Sequence, residues 1–316
     1  PAHIDVLAPA WTRPLLERMP EVRETIPLDL AHGQLGLISR FRTGLELRSR
    51  RYEWAIVLPN SYKSALIPMW AKIPRRTGYL GEFRYGLLND IRPLNPKALP
   101  MTVQRFVALG LEAGAPLPHP LPHPSLTVST RGVKQTLDNL ELRKPDTPLL
   151  VLCPGAEFGP AKRWPVSHFA AVARRKVGEG WTVWIVGSEK DRAIGEAIRA
   201  EVDSSQCHNL AGRTKLDQAI DILSLATTVI SNDSGLMHVA AALKRSLIAV
   251  YGSSDPGFTP PLAANAKIVR LGLTCSPCFK RECPYGHYRC LQEIRPEHVL
   301  AAADHGTLTA KARTGV

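Results

Sequence analysis

The chain has 316 residues, 44% hydrophobic and 22% charged, which are ordinary proportions for a globular protein with room for two domains. It contains no apolar run of the roughly 18 residues that a membrane span needs. It also shows neither the features of a secretory signal nor a regular disulfide framework, so we expect a cytosolic protein. A net charge of +12 implies an anionic partner, which could be nucleic acid, a membrane surface or an acidic metabolite.

Strands and helices alternate in the first half of the chain. The sequence predicts strands at residues 3–8 and 51–59, and helices at 14–19, from 60 onward and at 102–112. Alternation of this kind is typical of a parallel, doubly wound sheet.

A proline-rich segment at residues 115–124 can neither continue a helix nor join a sheet interior, so we place a boundary there. The predicted division is an N-terminal domain at 1–125, a linker at 126–147, a C-terminal domain at 148–300 and a tail at 301–316. The fold class is therefore α/β with two domains.

The second half predicts four clear strands at residues 149–153, 182–186, 228–231 and 247–251, with weaker candidates near His208 and Lys267. Each clear strand runs into a polar or glycine-containing turn. Because ligands in open α/β sheets bind beyond the carboxyl ends of the strands, these turns should converge on one crevice. The turns are residues 154–165, 187–191, 232–238 and 252–255.

The turn at 232–238 is the strongest candidate for chemistry. Ser234 and the amides of Gly235 and Leu236 could face a phosphate at the start of a helix, while Asp233 would hold sugar hydroxyls. His238 follows on the same helix face as Ser234. The alternative is that Asp233 or Ser234 merely caps a helix.

Cationic and acidic side chains in two other turns suit a nucleotide diphosphate. Lys162 and Arg163 could reach a pyrophosphate while Gly155 lets the backbone come close. Asp191 could accept from ribose hydroxyls. The alternatives are solvated loop charges and, for Asp191, an acid in the first turn of a helix. The glycine motifs of dinucleotide-binding domains and of P-loop NTPases do not occur.

Several long motifs resemble the ADP-heptose:lipopolysaccharide heptosyltransferases. The resemblance rests on residues 154–165 (PGAEFGPAKRWP) and 232–238 (NDSGLMH), and on 3–9 (HIDVLAP), 58–66 (LPNSYKSAL) and 76–90 (RTGYLGEFRYGLLND). It implies the B-type glycosyltransferase fold, in which two Rossmann-like domains face a central cleft. The second domain would bind ADP-heptose and the first the growing inner core of lipopolysaccharide.

Carried over to this chain, the resemblance gives roles to individual residues. Lys162 would neutralise the diphosphate of the donor and stabilise the leaving ADP, with Arg163 beside it, and Asp191 would hold the ribose. Asp233, Ser234, Gly235 and His238 would contact the heptose and phosphates. Family members invert the anomeric centre in one displacement without a metal, so no cofactor is expected.

In this family a first strand leads to a loop whose aspartate is the general base. Residues 1–5 align with what is normally the second strand, so the resemblance predicts an N-terminal domain lacking its first strand, with the catalytic aspartate absent from this chain. Asp5 is no substitute because it lies mid-strand. We expect the chain in this form to bind nucleotide sugar with little or no transfer.

The resemblance also implies the partners. The acceptor would be lipid A bearing acidic sugars and one heptose, and the enzyme would work in the cytoplasm, peripherally at the inner face of the inner membrane. An acidic, membrane-anchored acceptor explains the charge of +12 better than nucleic acid does, since no basic stretch is interleaved with aromatics. Lys63, Arg76 and Arg84 are candidates to grip the acceptor, with a solvated basic face as the alternative.

Four cysteines at 275, 278, 283 and 290 form a separate cluster around His287. By residue type they could ligate zinc or an iron–sulfur cluster. Their spacing fits no zinc pattern well, which favours thiols that pack a compact loop. Cys153 and Cys207 should be buried thiols at strand ends.

Two other functions stay open from the sequence. A sugar-nucleotide 2-epimerase shares the B-type fold and would also place a diphosphate at these turns. A truncated chain could instead bind nucleotide sugar without turnover.

Overall fold

The computed structural model describes residues 2–30 and 34–304. Contacts divide the chain into two compact units. The large unit comprises Pro1–Pro27, His123–Pro256 and Pro260–Val316, and the small unit comprises Leu28–Pro122 and Gly257–Thr259. None of the helices within the described ranges is long and apolar enough to cross a membrane.

Strands and helices alternate along most of the chain. The strands are β1 (Ile4–Pro9), β2 (Val22–Leu28), β3 (Trp54–Val57), β4 (Arg75–Tyr79), β5 (Asp90–Arg92), β6 (Leu149–Cys153), β7 (Thr182–Ile185), β8 (Cys207–Asn209), β9 (Thr228–Asn232), β10 (Ser246–Val250) and β11 (Ala266–Val269). The helices are α1 (Arg13–Leu16), α2 (Leu37–Arg48), α3 (Leu66–Trp70), α4 (Thr102–Leu109), α5 (Thr130–Asn139), α6 (Val166–Gly178), α7 (Arg192–Val202), α8 (Leu216–Leu225), α9 (Gly235–Ala242), α10 (Arg289–Gln292) and α11 (Pro296–Asp304).

A six-stranded parallel sheet forms the centre of the large unit, in the order β11-β10-β9-β6-β7-β8. Its inner strands are apolar on both faces because side chains alternate between two cores. Leu149 and Val151 point into one core, and Leu150 and Leu152 into the other. The four clear strands predicted in this half are confirmed to within one residue at each end.

The chain reverses its direction across this sheet at β6. From β6 the chain adds β7 and β8 on one side, then crosses to β9 on the other side and continues to β10 and β11. The carboxyl ends of β6 and β9 therefore border a topological switch point, where open parallel sheets form a crevice.

The small unit contains a three-stranded parallel sheet in the order β3-β4-β5. A chain of polar groups crosses it: Trp54 Nε1 donates to Thr77 Oγ1 (2.6 Å), which donates to Asp90 Oδ2 (2.7 Å). Arg92 Nε lies 2.6 Å from Asp90 Oδ1. The hydrogen bond from Arg92, followed by those from Thr77 and Arg75, holds the pKa of Asp90 well below its usual range.

The N-terminal residues group differently from the predicted domain at 1–125. Strands β1 and β2 form a two-stranded sheet of their own, and residues 1–27 belong to the large unit. Arg18 contributes to this placement because its Nη2 lies 2.9 Å from Asp221 Oδ1 on α8. The division into acceptor and donor domains by function stays a prediction.

The predicted linker at 126–147 contains the helix α5. Ser129 starts it by accepting a hydrogen bond from the Gly132 N–H (3.0 Å), and Leu137 and Leu140 are buried in a core of the large unit. Proline-rich sequence therefore ends before this segment. The predicted tail at 301–316 begins inside α11, and its residues 305–316 lie outside the described part of the chain.

Candidate functional site

The four turns predicted to converge follow β6, β7, β9 and β10, which are neighbours in the order β10-β9-β6-β7. Direct contacts join them. The Ser253 N–H donates to Ala161 O (3.2 Å), and Lys190 Nζ lies 2.5 Å from Glu157 Oε1. Convergence at one edge of the sheet is confirmed.

Asn232 fastens the turns after β6 and β9 to each other. Its side chain has no exposed surface. Its Nδ2 donates to Pro154 O (2.7 Å), and its Oδ1 accepts from the Trp164 N–H (3.0 Å). Because a buried amide that satisfies both of its ends costs much to displace, the two turns keep a fixed spacing.

Lys162 and Asp233 form an ion pair at the centre of this edge. Lys162 Nζ lies 2.5 Å from Asp233 Oδ2, which also accepts from Ser254 Oγ (2.5 Å). The two charged side chains are 16% and 5% exposed, so water screens the pair little. Lys162 Nζ also lies 4.9 Å from the centre of the Phe158 ring. The ammonium group is thus held in place at the crevice before any ligand arrives.

The start of α9 offers backbone donors beside this pair. Ser234 is the N-cap residue, but within the described residues its side chain makes no capping hydrogen bond. A Cβ on Gly235 would meet no atom within 4 Å, so the first turn of α9 faces open space. Since the Asp233 carboxylate binds Lys162 and Ser254, the capping alternative is not what the structure shows. Uncapped amides at a helix start are an anion site.

His238 lies on the exposed side of α9 but is surrounded closely enough that desolvation lowers its pKa. Asp233 acts in the opposite direction, and Lys162 adds to the lowering. The imidazole is therefore neutral near pH 7 in the free protein.

Asp191 is buried in a capping arrangement. Its Oδ2 accepts from the Ser188 N–H (2.9 Å) and from Ser188 Oγ (2.7 Å). Gly155 and Gly187 both approach its carboxylate so closely that a Cβ at either position would collide with it. The structure thus agrees with the alternative of an acid in the first turn of a helix, and contact with a ribose stays a prediction.

Arg163 shapes the loop that carries Lys162. Its Nε and Nη2 both lie 3.3 Å from Ala156 O. A contact with the donor stays a prediction for Arg163.

Two serines in the turn after β10 were not singled out from the sequence. Ser254 binds Asp233, and Ser253 has a buried hydroxyl with no hydrogen-bond partner among the described residues. The signal was present in the Ser-Ser pair after a predicted strand. The sequence does not show that Ser254 meets Asp233, because this contact depends on the β9–β10 register, which pairs Asn232 with Val250.

The small unit holds the three predicted acceptor-binding residues. Lys63 Nζ donates to Gln34 O (3.0 Å), and Arg76 donates to Leu87 O (2.7 Å) and Ile73 O (2.6 Å). Both side chains are half-buried. An acceptor contact stays a prediction for Lys63 and Arg76.

Arg84 has no exposed surface. It donates to Pro59 O (2.7 Å), Asn60 Oδ1 (3.3 Å) and Tyr79 O, and burial lowers its pKa. In this position Arg84 anchors the loops after β3 and β4. An acceptor contact stays a prediction for Arg84.

Two further predictions can be compared with the structure. Asp5 lies inside β1, as expected, and accepts from Arg23 Nε (2.8 Å). Cys153 and Cys207 are confirmed as buried thiols. In the described residues no group of three or more His, Cys, Asp or Glu side chains is placed to hold a metal ion, and this includes the four cysteines after β11.

Comparison with known proteins identifies a family for this arrangement. The model of glycosyltransferase family 9 (heptosyltransferase) matches residues 40–289. Lipopolysaccharide heptosyltransferase 2 of Escherichia coli K12 is 48% identical over 95% of this chain and 88% of its own length. Its counterpart in Salmonella typhimurium LT2 is 49% identical with the same coverage.

A solved structure supports the same family. The structure of E. coli ADP-heptose lps heptosyltransferase II is similar with a TM-score of 0.85 and 46% identity, covering 96% of this chain and 88% of that one. The predicted α/β fold class, with its parallel sheets, is confirmed.

Proposed function

Because the chain belongs to glycosyltransferase family 9, the heptosyltransferases, we propose that it transfers a heptose from ADP-L-glycero-D-manno-heptose to the first heptose of the lipopolysaccharide inner core. The family makes it a glycosyltransferase. The named relatives support neither a sugar-nucleotide 2-epimerase nor a protein that only binds nucleotide sugar. They also do not support the expectation of little or no transfer, so we propose an active transferase.

The single observation that carries the proposal is the Lys162–Asp233 pair beside the uncapped start of α9. A nucleoside diphosphate needs cations and N–H donors at its phosphates and oxygen acceptors at its sugars. The edge formed by the turns after β6, β9 and β10 supplies the cation, the N–H donors and the oxygen acceptors together.

The reaction breaks the bond between the anomeric carbon and the diphosphate. As it breaks, negative charge grows on the leaving ADP, and Lys162 with the amides of Gly235 and Leu236 stabilises that charge. The acceptor hydroxyl oxygen attacks the opposite face of the sugar and forms the new C–O bond, which inverts the anomeric centre, and the hydroxyl proton passes to water. Because Asn232 and Ser254 already fix the donors in place, little reorganisation is needed.

Asp233 suits recognition of the heptose. Its Oδ2 is occupied by Lys162 and Ser254. Within the described part of the chain its Oδ1 accepts no hydrogen bond, which leaves this atom to accept from a sugar hydroxyl. Binding of the diphosphate would then draw Lys162 toward phosphate while Ser254 keeps the carboxylate in position.

The small unit has the charge expected for an acidic, lipid-anchored acceptor. Residues 28–122 contain 13 Lys and Arg against 6 Asp and Glu. Helix α2 adds exposed apolar side chains at Ile38 (69%), Phe41 (43%) and Leu45 (38%), spaced along one helix face beside Arg42. An apolar stripe flanked by cations is the pattern of helices that lie on anionic lipid, so we propose peripheral association with the inner face of the inner membrane.

Transfer can be tested with purified protein, ADP-heptose and two acceptors. We expect ADP release and a mass increase of one heptose with an inner core that already carries one heptose. The matched acceptor without that heptose should not react. Equal reaction with both acceptors would contradict the acceptor assignment. Consumption of ADP-heptose at the same rate without any acceptor would contradict transfer.

A further inference from the structure

Arg281 lies in the segment between β11 and α10, which is hydrogen-bonded to the edge that carries the candidate site. The Phe279 N–H donates to Ser253 O (2.7 Å), in the turn after β10. Arg281 O accepts from the Ala161 N–H (3.0 Å), in the turn after β6. The backbone of Arg281 is therefore attached to the chain directly before Lys162.

Gly159 allows this close approach because it has no side chain. Its φ of 150° is a conformation that residues with a side chain rarely adopt, and a Cβ there would lie 2.5 Å from Arg281 O. Gly159 O in turn accepts from the Lys162 N–H (3.1 Å). The short turn that carries Lys162 is thus built against the backbone of Arg281, which fixes the two residues relative to each other.

The charged ends of the two side chains approach the same aromatic ring. Lys162 Nζ lies 4.9 Å from the centre of the half-buried Phe158 ring, and Arg281 Cζ lies 5.5 Å from it. The two cations are thus neighbours, separated by at most one ring. Because a cation–π contact reaches only about 6 Å, the Arg281 contact is near its outer limit, and the guanidinium group can turn to a stronger partner.

The guanidinium group of Arg281 has no anionic partner within the described residues. It is exposed and makes neither a hydrogen bond nor an ion pair there. Arg289, also exposed in the same segment, instead binds Glu293 (2.5 Å). The neighbouring carboxylate in the loop after β6, that of Glu157, lies 2.5 Å from Lys190 Nζ. The N–H donors of Arg281 are therefore available to an anion that enters the crevice.

From this arrangement we propose that Arg281 is a second cation for the diphosphate of the sugar nucleotide. Its guanidinium group leaves the Phe158 ring and donates to phosphate oxygens beside Lys162. Arginine suits this role because its fixed fork of N–H donors matches two oxygens of one phosphate. The inference rests on the proposed donor site, and it adds a residue that lies outside the four turns following the strands.

Arg281 and Lys162 should contribute at different stages of the reaction. The Lys162 side chain is only 16% exposed, so little water screens it from the charge that grows on the leaving ADP. Arg281 is exposed, and its contact with the diphosphate is similar before and during bond cleavage. An interaction of equal strength in both states lowers KM without raising kcat. We therefore expect Arg281 to determine donor affinity rather than turnover.

Calorimetry with ADP and with adenosine tests the contact in the parent protein, Arg281→Met and Lys280→Met. Lys280 is the matched control because it is the exposed neighbour in the chain and its loss removes the same charge. ADP affinity should fall at least about tenfold in Arg281→Met. It should stay within about twofold of the parent in Lys280→Met. Adenosine affinity should be the same in all three proteins.

Three results would overturn the proposal: an unchanged ADP affinity in Arg281→Met, an equal loss in Lys280→Met, or an equal loss for adenosine. The variants keep the fold because the contacts that fix residue 281 are made by its backbone. Failure of the parent protein to bind ADP would refute the proposed function itself. Parental binding that Arg281→Met leaves unchanged would refute only the role of Arg281.

Steady-state kinetics separates the donor diphosphate from a phosphate on the acceptor. In Arg281→Met the KM for ADP-heptose should rise at least about tenfold while kcat stays within about threefold. A rise confined to the KM for the acceptor would overturn the assignment to the donor. Arg281→Lys keeps the charge but not the fork, so it should recover only part of the ADP affinity. Full recovery in Arg281→Lys would overturn the two-oxygen contact.

Discussion

The carboxyl edges of the two parallel sheets carry cations that are used differently. In the large unit, Lys162 points to a carboxylate beside free helix amides, and its counterion is shared with Ser254. In the small unit, Arg84 in the loop after β4 donates to the backbone carbonyls of Pro59 and Tyr79. A basic residue after a strand is therefore not by itself evidence of a ligand site; its partners and its burial decide.

The difference also shows what each edge is built to do. A guanidinium group bound to backbone carbonyls fixes the conformation of a loop. Its buried charge has no carboxylate partner, so the desolvation penalty is not offset by an ion pair. A lysine in an ion pair beside an open helix start can give up its carboxylate partner and bind a phosphate instead. We expect the donor diphosphate at the large-unit edge only.

The largest effect should come from Lys162→Met. Removing the cation that stabilises the leaving diphosphate should lower kcat by about 100- to 1000-fold, measured as ADP release under saturating substrates. Lys162 interacts most strongly with the negative charge that grows on ADP in the transition state. Its loss should therefore lower kcat more than it raises KM.

Lys134→Met is the matched control, because Lys134 is exposed on α5 and pairs with Asp138 on the same helix. Its kcat should stay within about twofold of the parent. A Lys162→Met enzyme that folds normally and turns over at the parental rate would refute the role of this lysine.

Arg84→Met should act on stability rather than on the donor. The carbonyls of Pro59 and of the buried Tyr79 lose their partner, so the free energy of unfolding in urea should fall by about 3 kcal/mol. The exposed Arg42→Met on α2 should change it by less than about 0.5 kcal/mol. ADP affinity should be the same in all three proteins. Loss of ADP binding in Arg84→Met without loss of stability would contradict the claim that the donor diphosphate binds only at the edge of the large unit.

His238 should make ADP binding depend on pH. Burial lowers its pKa in the free protein, and a nearby diphosphate raises it, so binding takes up a proton between the two pKa values. The gain in affinity is complete below the free-state pKa and lost as pH rises through the bound-state pKa, with about a tenfold loss for each pH interval of one between them. Calorimetry in buffers of different ionisation enthalpy measures the uptake, and His238→Gln should abolish it. Proton release on ADP binding would contradict this prediction.

The smallest effect should come from Ile38→Ser on α2. One exposed apolar side chain that enters the bilayer interface contributes about 1 kcal/mol, so binding to vesicles with anionic lipid should weaken about fivefold. Trp11→Ser, which removes an exposed side chain (73%) from the large unit, should leave binding unchanged. Equal losses in both variants, or binding that is insensitive to lipid charge, would contradict docking through this face.

The sequence was most informative where strands are buried on both faces. Runs such as 149–153 and 247–251 are apolar throughout, because a central parallel strand contacts a core on each side, so their positions could be predicted closely. The turns that follow, with Lys162 and Asp233, were located for the same reason.

The remaining errors come from contacts between residues far apart in the chain. Arg84 reads like any solvated cation, and only the positions of Pro59 and Tyr79 show that it is buried. Helix α5 was hidden by the neighbouring prolines, although Ser129 and the spacing of Leu137 and Leu140 indicate it. The partner of Ser254 required the register between β9 and β10.

Hydrogen–deuterium exchange with and without ADP tests the central claim most directly, because it reads both edges in one experiment. ADP should slow exchange in peptides covering 154–165 and 232–238 and leave those covering 58–64 and 80–89 unchanged. Protection of the small-unit loops, with none at the start of α9, would contradict the account.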